Sequence, residues 1–89
     1  RMTMPYKLGQ QFKFTQTEGG GVLLDLTKGE YWQLNELGAL LVDRLSGGGL
    51  PRDVVEELAA AYPDSADRVD GDVRRLLDQL MGIGAIDHE

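Results

Sequence analysis

The chain first alternates, then turns helical. Residues 11–16 (QFKFTQ) set Phe12 and Phe14 on one side and Lys13 on the other, the period of two that marks a half-buried strand. Thr17 to Gly21 is a Gly-rich turn. Residues 22–26 alternate again, with Val22, Leu24 and Leu26 facing one way and Leu23 and Asp25 the other. Thr27-Lys28-Gly29 reverses the chain, Gly29 suiting the positive φ of a tight hairpin. Residues 30–34 (EYWQL) form a third strand with an adjoining aromatic pair, Tyr31 and Trp32.

From Asn35 the period changes. Asn35 is a good N-cap, and Leu37, Leu40, Leu41 and Leu45 follow at helical spacing until SGGG stops the helix. Pro51 opens a second helix, because its missing N–H costs nothing in a first turn. Val54, Val55, Leu58, Ala59 and Tyr62 form its apolar stripe, and Pro63 ends it. Asp64 or Ser65 is expected to cap a longer third helix. Its stripe runs through Ala66, Val69, Val73, Leu76, Leu77 and Leu80. Gly82 and Gly84 are natural stops, and residues 85–87 are placed to fold back on the domain. The expectation is an α+β domain at residues 11–87: a three-stranded antiparallel sheet followed by three helices, in a winged helix-turn-helix-like arrangement. Residues 1–10 are expected to be a flexible N-terminal arm.

Composition narrows the chemistry. At 89 residues the chain is one small domain, and its net charge of −6 argues against binding through phosphates or anionic lipid. There is no cysteine, which removes disulfides, thiolate metal sites and thiol nucleophiles. No apolar run approaches a membrane span, and the first residues lack the apolar segment of a signal peptide; a cytoplasmic protein is expected. The one histidine, His88, falls at the end of the chain, where a solvated tail is the simplest reading. Ser46 and Ser65 read as turn and cap residues. Asp64, Asp67, Asp70 and Asp72 complement the dipole of the third helix, and their spacing matches no cation loop. The Gly runs do not continue into a phosphate cradle. No catalytic set, metal or cofactor is expected. A DNA-binding winged helix is the remaining alternative of another class, but the third helix carries Arg68, Arg74 and Arg75 against five Asp residues, 64, 67, 70, 72 and 78, where a groove-reading helix should be net basic.

What remains is the edge of the third strand. An edge strand presents unpaired N–H and C=O groups, and an extended peptide can add to it if pockets accept its alternate side chains. Trp32 and Leu34 are expected to face the helices, with Leu77, Leu80 and Met81 on the opposite wall and Asp70 and Arg74 within reach of peptide charges.

The ordered set GVLLDLTKGEYWQLNELGALLVDRL, PRDVVEELAAAY and VDGDVRRLLDQLMGIGAID resembles the PqqD-like family of peptide recognition elements. Its marks are the LLDL strand, the Gly turn, the aromatic strand ending in LN, Gly38 in the first helix, the second helix ending in Tyr, and a closing small-apolar tail. The likeness spans residues 12–87, and within the family it is greatest to the free-standing leader-binding subunit of lasso-peptide systems. It implies a non-catalytic adaptor that binds the leader of a ribosomally made precursor peptide as an antiparallel strand. The partners so implied are the precursor, a leader peptidase and an ATP-dependent cyclase. Such leaders tend to carry a Tyr and a Pro that seat in hydrophobic pockets. Mapped by position, the backbone of Glu30, Tyr31, Trp32, Gln33 and Leu34 pairs with the leader. Leu24, Tyr31, Trp32, Val73, Leu77 and Met81 form pockets, and Asp67, Asp70 and Arg74 make polar contacts. Pro51 departs from the polar cap that often opens the second helix. The same family also implies an alternative, delivery of a precursor peptide to a radical SAM enzyme.

Overall fold

The computed structural model describes residues 5–89. The order is β1 (Tyr6–Leu8), β2 (Phe12–Thr17), β3 (Gly20–Asp25), β4 (Glu30–Leu34), α1 (Glu36–Ser46), α2 (Pro51–Ala61), a 3-10 turn (Pro63–Ser65), α3 (Ala66–Gly82) and β5 (Ile86–His88). The expected α+β architecture is present: β2, β3 and β4 form an antiparallel sheet in that spatial order, and three helices follow.

Two strands were not expected. β1 pairs antiparallel with β5, Tyr6 opposite His88 and Leu8 opposite Ile86. The Gly9 N–H also donates to the Ala85 carbonyl at 2.8 Å. Residues 6–8 are therefore a strand, not part of a flexible arm, while residues 1–4 of that arm lie outside the described residues. His88 is likewise in a strand, its ring 5.1 Å from that of Tyr6. Neither strand can be read from local pattern, because each is three residues long and its partner is at the other end of the chain.

The register of the main sheet decides its faces. Leu23 stands opposite Trp32 and Phe14, and Leu24 opposite Tyr31 and Lys13. The first set faces the helices, where Leu23 is fully buried; the second faces outward. The core joins Phe12 and Leu23 to Leu41, Val42 and Leu45 of α1, Val54 of α2, Val73 and Leu80 of α3, and Ala85 and Ile86 at the end of the chain.

Local chemistry sets the ends of these elements. The Asn35 side chain accepts from the Gly38 N–H at 2.9 Å, capping α1 as expected. α2 begins at Pro51, and the Asp53 carboxylate accepts from the Leu50 N–H at 2.8 Å. The expected cap of α3 is different. Ser65 holds the N-cap position, but its side chain makes no cap bond. The 3-10 turn leads into the helix instead, with the Ser65 N–H donating to the Tyr62 carbonyl at 3.0 Å.

The β3–β4 turn is built on Asp25, only 3 % exposed and the one buried charged residue described. Its Oδ1 accepts from the Thr27 and Lys28 N–H groups at 2.9 and 3.0 Å, and its carbonyl from Gly29 at 2.7 Å. Gly29 takes the expected positive φ, 72°. Removing the carboxylate leaves two N–H groups without their partner, so Asp25→Ala should lower the unfolding free energy by about 1–3 kcal/mol, and Leu23→Ala by about 2–5 kcal/mol. Urea denaturation of the three proteins checks both.

Candidate functional site

α3 is anchored by α2, the 3-10 turn and β5, and stands off β4. Among the described residues β4 pairs only with β3. Its other edge therefore presents alternate N–H and C=O groups to solvent, and it borders a trough of about 490 Å³ between β4 and α3. Leu23, Trp32, Gln33 and Leu34 form the sheet wall, Leu76, Gln79, Leu80 and Ile83 the helix wall, and Asn35 and Gly38 one end. Trp32 is half-buried and leans on Phe12, ring centroids 5.9 Å apart. Gly38 lets α1 approach this end closely: a Cβ there would lie 3.2 Å from the Leu34 Cβ. Ile83 is 38 % exposed, a large apolar side chain facing water at the mouth.

Such a trough offers backbone groups along one side and an apolar floor with amide side chains along the other. It suits an extended chain that hydrogen-bonds to β4 and buries every second side chain. It brings together no acid, base and nucleophile. Among the described residues no three His, Cys, Asp or Glu side chains gather as a metal site would require, and no described helix is long and apolar enough to cross a membrane.

The expected site residues divide. Trp32, Gln33 and Leu34 line the trough. Glu30 and Tyr31 belong to the same edge strand, but Tyr31, 67 % exposed, points to the outer face beside Leu24. Val73 is fully buried in the core, and Leu77 and Met81 pack against that core without lining the trough. Asp67, Asp70 and Arg74 lie away from it as well. At about 100° per residue Arg74 falls roughly 160° around the helix from Leu76. It is 77 % exposed and bonds Asp70 at 2.9 Å, one turn away.

The helix wall is Leu76, Leu80 and Ile83, with Gln79 beside them. A signal for it existed. Val69, Val73 and Leu80 make one apolar row, Leu76, Leu80 and Ile83 a second row next to it, more than one packing neighbour uses. Leu80 was expected on the opposite wall and Leu76 only in the apolar stripe; Leu23, Gln79, Ile83, Asn35 and Gly38 were not singled out for the site.

Charge on α3 does not make a nucleic-acid face. Arg75 pairs with Asp72 at 3.2 Å as Arg74 does with Asp70, leaving no basic stripe for phosphates.

The family model described as coenzyme PQQ synthesis protein D (PqqD) matches residues 20–86. The chain belongs to the PqqD family. No curated protein matches it. Two solved structures resemble this PqqD-family chain over nearly its whole length. One is described as lasso peptide synthetase B1 complexed with the leader peptide; it is 36% identical with a TM-score of 0.82, covering 93% of this chain and 98% of the other. The second is described as TbiB1 in complex with the TbiA(beta) leader peptide, 25% identical with a TM-score of 0.80, covering 91% and 94%. The chain is thus a PqqD-like recognition element, similar to the lasso peptide synthetase B1 protein.

The exposed Arg74–Asp70 pair should contribute little to the fold: Arg74→Ala is expected to change the unfolding free energy by less than about 1 kcal/mol. Trp32→Ala, which strips the ring from Phe12, should cost about 2 kcal/mol or more. Chemical denaturation followed by circular dichroism separates the two.

Proposed function

We propose that this chain is a non-catalytic adaptor which binds the leader segment of a ribosomally made precursor peptide. The leader adds as an antiparallel strand to β4 and lies in the trough under α3. The adaptor thereby presents the precursor to the leader peptidase, and to the ATP-dependent cyclase, of lasso-peptide maturation in the cytoplasm. The observation that carries this reading is the unpaired edge of β4 beside an apolar trough. The two similar solved structures, both described as leader-peptide complexes, support it.

Each part of the trough has a role in this reading. The outer edge of β4 supplies backbone pairing, which gives affinity with little sequence preference. Side chains that point inward from the guest strand meet Trp32, Leu34, Leu76, Leu80 and Ile83, and these contacts supply selectivity. Side chains that point outward lie beside Tyr31 on the solvent face, which gives Tyr31 a contact without a pocket. Gln33 and Gln79, both at the trough, provide hydrogen-bonding groups.

The family resemblance also implies a second reading, delivery of a precursor to a radical SAM enzyme. Both readings use the same trough and differ in the enzyme served. Adding the chain to a leader peptidase reaction, and separately to a radical SAM reaction, distinguishes them by which turnover rises.

Trp32 is the only tryptophan, so its emission reports occupancy of the trough directly. Titrating a lasso-precursor leader peptide should shift that emission to the blue. Leu76→Glu should weaken binding at least about tenfold, or about 1.4 kcal/mol, and Trp32→Ala, followed by calorimetry, by about 2–4 kcal/mol. Arg74→Ala should stay within about twofold of the parent. A Leu76→Glu protein that binds as tightly as the parent would remove the trough from the binding site.

A further inference from the structure

The trough does not end at Leu34. Asn35, Leu76 and Gln79 line it and also line the next hollow, of about 340 Å³, together with Leu37, Asp72 and Arg75. Leu37 in turn lines a third, open hollow of about 560 Å³ whose walls come from all three helices. The apolar part of that third hollow is Leu37, Leu40, Leu58, Ala61, Tyr62 and Val69. Tyr62, just beyond α2, is 60 % exposed at its edge although the sequence pattern put it on the buried stripe of that helix.

We propose that this interhelical hollow is a second subsite for the same peptide, occupied by residues that precede the strand-paired segment. The inference rests on the strand-addition reading above. A strand antiparallel to β4 has its earlier residues at the Leu34 end, which is where the trough passes between Leu37 and Leu76 toward the hollow. The run of α3 from Leu80 to Val69 is roughly 17 Å at 1.5 Å per residue, a distance that about five extended residues cover. The peptide therefore makes a strand on β4, crosses the Asp72–Arg75 pair, and ends with an apolar side chain among the helices.

The rim selects the chemistry of that end. Glu36 and Glu57 flank the hollow. Glu57 is already bound by Arg44, with Nε and Nη2 at 3.2 and 3.1 Å from its two carboxylate oxygens, and this hydrogen bonding raises the Arg44 pKa, with the nearby charge of Glu57 adding to it. Glu36, in the first turn of α1, is in none of the ion pairs found among the described residues. An apolar residue flanked by Lys or Arg fits this end, and an acidic one does not. The overall charge of −6 favours the same choice.

The test uses a random 20-residue peptide library in mRNA display, selected on the full chain, with dissociation constants measured for the selected peptides and their shortened forms. Removing residues from the N-terminal end should weaken binding at least fivefold. Tyr62→Ser and Ala61→Arg, both at exposed positions, should weaken the full peptides by a similar factor and leave the shortened ones unchanged. If those variants and the N-terminal shortening have no effect while Leu76→Glu abolishes binding, the second subsite is wrong and the β4 trough stands. If loss follows shortening from the C-terminal end instead, the assigned polarity is wrong and the subsite falls with it. If no peptide is retained, or Leu76→Glu is also without effect, the strand-addition reading itself is overturned.

Discussion

α3 is held by α2 and β5 and stands clear of β4. The rest of the molecule's chemistry depends on that separation. If the helix lay directly on the strand, Leu76 and Ile83 would be buried by Trp32 and Leu34, and the β4 edge would be covered. With α2 on one side and the returning chain on the other, Val69, Val73 and Leu80 fill the core, while Leu76 beside them is only partly buried and Ile83 faces water. An edge strand and a partly exposed apolar row are each a liability in a small protein. Side by side, they have the form of a site for one extended chain.

The short β1–β5 ribbon has a part in this arrangement. It fixes the end of α3 by pairing the two ends of the described chain, with Ala85 and Ile86 fully buried beneath it. The buried Asp25 does the corresponding work on the sheet side, holding the turn that sets β4 in register with β3. Neither feature touches the trough. One lies at the end of the helix wall and the other at the turn that starts the strand wall.

Charge acts mainly by exclusion. The acidic balance and the Asp–Arg pairs along α3 remove the nucleic-acid use that winged helix-like folds otherwise invite. In the proposed reading they leave apolar contact and backbone pairing as the means of recognition, with charge confined to the saddle and rim beyond Leu34. Recognition of this type suits an adaptor: backbone pairing tolerates many sequences, and a few pockets choose among them.

Much of this was legible in the amino-acid order. Periods of two and then of about 3.6 located β2, β3, β4 and the three helices to within a few residues; the Asn35 cap and the Gly29 turn followed from local chemistry, and Trp32 and Leu34 were correctly aimed at the helices. Such features depend on neighbours close in the chain. Which face of α3 meets the trough was decided elsewhere. A helical stripe shows that one side is apolar, but the rotation of the helix about its axis is set by α2 and β5. That rotation buries Val73, turns Arg74 and Asp70 to solvent and brings Leu76 and Ile83 to the site. The pairing of residues 6–8 with residues 86–88 was likewise beyond local pattern, because three-residue strands carry almost no periodicity and find each other only after the core has brought the two ends together.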